Sequence, residues 1–297
     1  MTPTRAYTLL TGSALLFGLM AFLSKLACRT YDGATVAGLR FAIGAAATGL
    51  LWAGRRVDAS PRHPWLLLLR GLTGGVAVVL YFLTIEHLNV GLATLLNYTS
   101  PPFTVVLARV FLGERLTGRA LAALALTMVG VGLVVAGQPR PEGPPAPVVM
   151  ALGGTAPADP FWIAMGLLSA ICSAGAITTI RALRSGPQPE SVWSIFFSFC
   201  VVGALCAAPL SRELHAPDAR EAALLLGVGG TAMLAQLGMN GVMRWVPAAF
   251  FGITAQLSVV FTMLLGALLL GESWTALSGA GALLTLAGVA WAGRLNA

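Results

Sequence analysis

The sequence predicts an all-α integral membrane protein, with ten transmembrane helices arranged as two inverted five-helix repeats. Three observations predict it: an apolar content too high for a water-facing surface, ten apolar runs of spanning length, and a repeat relating the two halves. Of 297 residues, 57 % are apolar and only 10 % charged, with 35 glycines besides. A soluble domain is about 25 % charged and about 45–50 % apolar with glycine included. Apolar residues and glycines together number roughly 204, enough for about ten spans of about 20 residues, and about ninety residues remain for connections. No separate soluble catalytic domain fits in that remainder.

In order, the helices read near 7–28, 33–54, 64–85, 89–112, 118–137, 161–183, 191–210, 220–243, 247–270 and 275–293. Each is an apolar run bounded by charges, prolines or turn residues. Hydrophobicity continues around every face, as lipid-exposed or bundle-interior helices require, and no period-two alternation marks a barrel strand. The first run follows Arg5 much as a secretory signal would, but with nine spans behind it an uncleaved helix is the better reading. Residues 138–160, rich in proline, glycine and alanine, read as a flexible linker on the outer side, between repeats at 7–137 and 161–293.

The net charge of +7 would suggest nucleic acid in a soluble protein, but here it lies singly in short loops and reports topology. On the side of the N-terminus lie Arg5, Arg55, Arg56, Arg62, Arg115, Arg119, Arg181, Arg184, Arg244 and Arg294, ten in all. The opposite side has five: Lys25, Arg29, Arg140, Arg212 and Arg220. That bias places both termini in the cytoplasm, with the lipid bilayer as the partner and no nucleic acid. Cys28, Cys172, Cys200 and Cys206 lack the spacing of a metal site and read as small buried apolar side chains; no metal or cofactor is expected.

Sliding the chain on itself by 158 residues aligns Phe111 to Thr117 (FLGERLT) with Leu269 to Thr275 (LLGESWT), and Leu126 to Val131 with Leu284 to Val289. A shift of 156 aligns Arg70 to Gly75 with Leu226 to Thr231, as a two-residue deletion would cause. Each repeat has five helices, an odd number, so the second enters the membrane from the side opposite the first. Inverted repeats pack about a pseudo-twofold axis in the membrane plane and can open to either side by exchanging conformations.

This pattern resembles the drug/metabolite transporter superfamily, in particular ten-helix exporters built from two EamA-type repeats. Carrying the resemblance are Gly113-Glu114 and Gly271-Glu272, Arg40 in GLRFAIG, the prolines of NYTSPPFTVV, and the small-residue stretches that end each half. It covers about 10–137 and 161–293 and looks closest to the bacterial aromatic amino acid exporters. The resemblance implies export of small metabolites, amino acids among them. Val259 and Val260 align with Pro101 and Pro102, so the ninth helix is expected to lack the break of the fourth.

Candidate residues follow from chemistry at membrane depth. Pro101 and Pro102 should kink the fourth span and free carbonyls near Asn97 and Tyr98, either as a substrate wall or as a packing kink. Gly71 and Gly75, with Gly227, Gly229 and Gly230 crowding the equivalent helix, suggest close helix contact or a surface that slides during gating. All eleven acidic residues fall in loops or at span ends, which disfavours a central carboxylate proton relay and favours facilitated export. Glu114 and Glu272 read as helix caps or partners of arginines such as Arg115 or Arg119. Arg40 and Arg70 lie inside spans, each about 10 Å from an end at about 1.5 Å per residue, and Arg40 could meet a substrate carboxylate; snorkelling or a structural pair is the alternative. Tyr81, Asn97, Tyr98, Trp162, Gln236, Asn240 and Gln256 are the neutral polar and aromatic candidates for substrate binding, with Tyr98 and Gln256 equivalent under the 158-residue shift. Interhelical hydrogen bonding explains some of them equally well, and Trp162 fits an interfacial belt.

A membrane enzyme is disfavoured, since His63, His87 and His215 are scattered without a nucleophile elbow or metal motif. A channel is disfavoured too, with neither a charged ring nor a filter sequence. Export of drugs or nucleotide-type metabolites stands as the alternative within the transporter class.

Overall fold

The computed structural model describes residues 3–87, 96–115, 117–137, 160–212, 215–270 and 275–296. Every regular element among them is helical: α1 (Pro3–Ala27), α2 (Gly33–Ala53), α3 (Pro64–His87), α4 (Ser100–Leu112), α5 (Gly118–Ala136), α6 (Pro160–Ser185), α7 (Val192–Ala207) with a 3-10 turn (Ala208–Leu210), α8 (Ala219–Val242), α9 (Ala248–Ala255), α10 (Leu257–Leu270) and α11 (Ala276–Asn296). Among the described residues, nine stretches are long and apolar enough to cross a membrane, α9 and α10 forming one of them, and α4 is a shorter apolar helix. The predicted linker, apart from Pro160, and Glu272 lie outside the described residues.

Short polar side chains start these helices. Asp32 caps α2 by accepting from the Thr35 amide at 2.8 Å, Thr117 caps α5 and Ser191 caps α7. Asp218 and Glu221 form a reciprocal capping box at the start of α8. Large apolar side chains such as Leu50, Trp65, Phe111, Leu205, Leu268 and Leu283 remain well exposed, which a surface against lipid tails tolerates and water does not.

The packing has the symmetry that the repeat demands. Renumbering each span by five turns the pair α3 and α6 into α8 and α1, and the pair α3 and α7 into α8 and α2; all four contacts are extensive. The fifth span α5 packs on the tenth, α11, and α2 on its own equivalent α7. Residues 158 apart meet directly at two places: Gln256 Nε2 donates to the Tyr98 carbonyl at 3.3 Å, and the rings of Phe41 and Phe199 meet edge-on with centroids 4.9 Å apart. Only positions on a twofold axis can touch their own equivalents, so the axis runs through both pairs.

Glycine makes the closest approaches. A Cβ on Gly130 would strike Thr285, and one on Gly288 would strike Thr127, two mutually equivalent contacts in the seam of α5 with α11. Gly71 lies against Val202 and the Ser198 carbonyl, Gly75 against Cys206, which is the close packing expected of a GxxxG. In α8, however, Gly229 meets Ile43, Gly227 has a looser contact with Leu23, and Gly230 faces open space. Gly71 therefore corresponds to Gly229, 158 residues on. The shift of 156 is corrected, and Gly230 is not a packing residue.

The prolines also act differently from the expectation. The fourth span is helical at Leu96 and Asn97, turns at Tyr98 and Thr99, and restarts as α4 with Pro101 and Pro102 in its first turn. Proline suits that position because the amide it lacks would have no helical partner there. A break thus takes the place of a mid-helix kink. The ninth span breaks too, at Gln256 between α9 and α10, without a proline. Both breaks fall at equivalent positions, where the Gln256 amide crosses to the Tyr98 carbonyl. The ninth span thus lacks the proline break of the fourth, as expected, and its interruption is a single residue that stays in the right-handed helical region.

Candidate functional site

A cavity of about 320 Å³ lies within the bundle where the two broken spans meet, walled by residues from every span except α5 and α11. From the breaks come Asn97, Tyr98, Pro101 and Gln256; α3 contributes Arg70 and Tyr81, α2 contributes Arg40, and α8 contributes Gln236. Rings from three further places complete it: Phe17 of α1, Phe199 of α7 and Phe251 of α9. Six of the eight predicted binding residues are thereby brought together: Arg40, Tyr81, Asn97, Tyr98, Gln236 and Gln256. Of the two prolines, only Pro101 reaches the wall.

Trp162 and Asn240 lie elsewhere. Trp162 is in the first turn of α6, edge-on to Phe161 at 5.0 Å, and Asn240 is fully buried near the end of α8 with its amide 3.5 Å from the Val192 carbonyl. Asn97 has a structural partner as well. Its amide donates to Ser169 Oγ at 3.1 Å, and Ser169 passes a bond to the Ala77 carbonyl at 2.8 Å, which ties the fourth, sixth and third spans. More specific is the unmet hydrogen-bonding capacity carried by residues of the cavity wall. Gln256 Oε1 is buried without a hydrogen-bond partner, and so are Arg70 Nε and Nη1. Arg70 lies over the Phe199 ring at 4.0 Å, Arg40 lies 4.7 Å from the Phe41 ring, and the two rings are the edge-on pair on the axis.

The two ends of the cavity differ. Toward the side where α1 starts, Leu10, Leu67, Ile180, Ile195, Met239 and Phe250 belong to one buried apolar cluster uniting spans 1, 3, 6, 7, 8 and 9. Beneath it, Arg181 Nε donates to Glu114 Oε1 at 2.7 Å and Arg181 Nη1 to the Met243 carbonyl at 2.6 Å, while the other Glu114 oxygen accepts the first α9 amide, that of Ala248, at 3.0 Å. Glu114 is therefore a helix cap and an arginine partner as expected, although its arginine is Arg181 rather than Arg115 or Arg119. The wholly buried Glu190 carboxylate accepts the amides of Arg62 and His63 at 3.0 and 2.9 Å, joining the connection before α3 to the one before α7. Beside them, hydrogen bonds from Ser60 hold the Asp58 carboxyl below its ordinary pKa. Toward the opposite side the described residues form two separate clusters, one of spans 1, 2 and 8 and one of spans 5, 9 and 10. Neither joins the walls across the cavity.

Sequence reasoning missed Ser169, Phe199, Arg181 and Glu190. Their roles depend on partners 62 to 158 residues away, and no local pattern announces such pairings. The acids whose side chains are described, Asp32, Asp58, Glu114, Glu190, Asp218 and Glu221, all lie in connections or first turns, and none lines the cavity. No group of three metal-ligating side chains occurs among the described residues.

Comparison with known proteins matches the EamA-like transporter family at residues 4–136 and 160–294. The chain is 30 % identical over 270 residues to the pseudopaline exporter CntI of Pseudomonas aeruginosa (strain UCBPP-PA14), covering 90 % of this chain and 88 % of that one. It is 28 % identical over 214 residues to an uncharacterized transporter of Helicobacter pylori (strain ATCC 700392 / 26695), covering 70 % of this chain and 66 % of the other. A solved crystal structure shares the fold, with a TM-score of 0.77 at 19 % identity, covering 99 % of this chain and 98 % of the other.

Proposed function

The chain belongs to the EamA-like transporter family, and on that premise we propose that it exports small amino-acid-type metabolites across the cytoplasmic membrane by alternating access of its two repeats. One observation carries the reading: the cavity lies on the axis that relates the halves, at the point where both broken spans turn. A site at the repeat interface, lined by interrupted helices, can face either side as the halves exchange conformations. Its volume is at the small end of the usual range of about 300–1,000 Å³, which suits a metabolite. An apolar seal at one end and separate clusters at the other support an arrangement facing away from the side where α1 starts.

Outward export is taken from the Pseudomonas relative, which is a named exporter. The repeats are placed at 7–137 and 161–293, the linker on the outer side and both termini in the cytoplasm, on the ten-to-five distribution of basic residues. Facilitated export fits a wall without carboxylates better than proton coupling does. Aromatic or other neutral amino acids have in their favour the rings of Phe17, Phe199 and Phe251 on the wall. Purified protein in liposomes, given a panel of labelled amino acids with and without a pH gradient, should show saturable counterflow of at least one. Tyr98→Ala and Gln256→Ala should each depress it. Undiminished counterflow in both variants would sink this placement of the site.

A further inference from the structure

We infer that the exported solute is a net anion with at least two carboxylates, held between Arg70 and Arg40, together with an amine-type donor that meets Gln256 Oε1. This rests on the transporter reading and puts an acidic amino-acid type in place of the neutral one. Arg70 is 3 % exposed. Its Nε and Nη1 have no hydrogen-bond partner, and Nη2 reaches only Gln236 Oε1, at the long distance of 3.5 Å. Arg40 donates to the Met20 sulfur at 3.2 Å, a weak acceptor. Among the described residues neither guanidinium has a carboxylate partner. The acids near the spans whose side chains are described are occupied at helix ends: Asp32, Asp218 and Glu221 in caps, Glu114 with Arg181, and Glu190 between two connections.

A guanidinium stays charged in proteins, so it cannot escape burial by losing its proton as a lysine can. A buried, underpartnered cation at Arg70, with the half-buried Arg40 on the same wall, is unfavourable in a low-dielectric cavity unless an anion joins them. The rings connecting the two arginines bound the span: the guanidiniums cannot be farther apart than the Arg40 to Phe41, Phe41 to Phe199 and Phe199 to Arg70 distances laid end to end. A zwitterion with one carboxylate would satisfy one guanidinium and leave the other bare. Two acid groups satisfy both, and Gln256 Oε1, buried and unpartnered, is a waiting acceptor for a solute N–H. An amino dicarboxylate combines these features in a volume that the cavity can hold.

Binding to the wild-type protein, followed by thermal shift and by competition, would rank glutamate and iminodiacetate against leucine and phenylalanine; counterflow in liposomes would be measured on the same panel. The expected result is diacid affinity at least about tenfold above that of the neutral amino acids, weakening with added salt. Arg70→Gln and Arg40→Gln should each remove most of that preference, while Arg70→Lys keeps part of it. The wild-type ranking decides the matter even if a variant does not fold. Diacids binding no better than leucine would overturn the inference, and saturable leucine flux in that case leaves the transporter reading standing. Diacid binding without flux of any solute supports the anion site and removes the transporter reading instead.

Discussion

Adding one methyl group at Gly130 tests the seam on which the pseudosymmetric packing depends. A Cβ there would lie 2.5 Å from Thr285 Oγ1, 2.6 Å from the Thr285 amide nitrogen and 2.7 Å from the Gly281 carbonyl oxygen. Ordinary contact begins at 3.4 Å, so the 2.6 Å approach is about 0.8 Å too short, and two of the three obstacles are backbone that cannot swing aside. Overpacking of this kind costs about 1–3 kcal/mol. Against it stands the better helix propensity of alanine, worth about 1 kcal/mol. Gly230→Ala supplies the control, because nothing lies within 4 Å of its Cβ and only the propensity gain remains. The difference between the two variants, about 1–3 kcal/mol, isolates the steric cost. Reversible unfolding in mixed micelles would measure it, and on the scale of soluble proteins a thermal melt would show about 2–4 °C per kcal/mol. Gly281→Ala, whose Cβ would lie 2.5 Å from Gly130 O and Val134 N, should behave like Gly130→Ala. Equal stability of Gly130→Ala and Gly230→Ala would refute the close seam.

Two further outcomes follow from the polar ends of the bundle. Glu190→Ala strands the amides of Arg62 and His63 in a buried place and should cost about 3 kcal/mol or more, read as lost yield of monodisperse protein, with Glu190→Gln intermediate. The exposed Cys28, in the connection between α1 and α2, should react with a membrane-impermeant maleimide in intact cells. A cysteine placed at Arg56 should react only after permeabilisation, and the reverse pattern would invert the proposed topology.

The spans were legible because a bilayer requires long apolar runs whatever the tertiary contacts, and the pairing of Tyr98 with Gln256 was legible from the repeat alone. The break at Gln256 was not. No proline or glycine marks it, and the carbonyl that its side chain meets belongs to a residue 158 positions away. Pro101 and Pro102 pointed to the right region for the wrong reason, since they open a helix after the turn instead of bending one. The register of 156 paired Gly71 with Gly227 instead of Gly229 because glycines crowd that stretch, and only the neighbour, Ile43, tells a packing glycine from Gly230 beside it. Arg70 could be seen to lie inside a span, but not to lack a partner. An unmet bond is a property of the surroundings, and the sequence lists no surroundings.

The repeat that places Tyr98 opposite Gln256 also places Ser198 at the equivalent of Arg40 and Val228 at the equivalent of Arg70. Both cations thus ride on one half. A machine with identical halves would weigh its two facing states equally by symmetry, and this one cannot. An exchange of shape between the halves would move those cations relative to the membrane voltage when the cavity is empty, and carry less charge once an amino dicarboxylate, net singly negative, has settled between them.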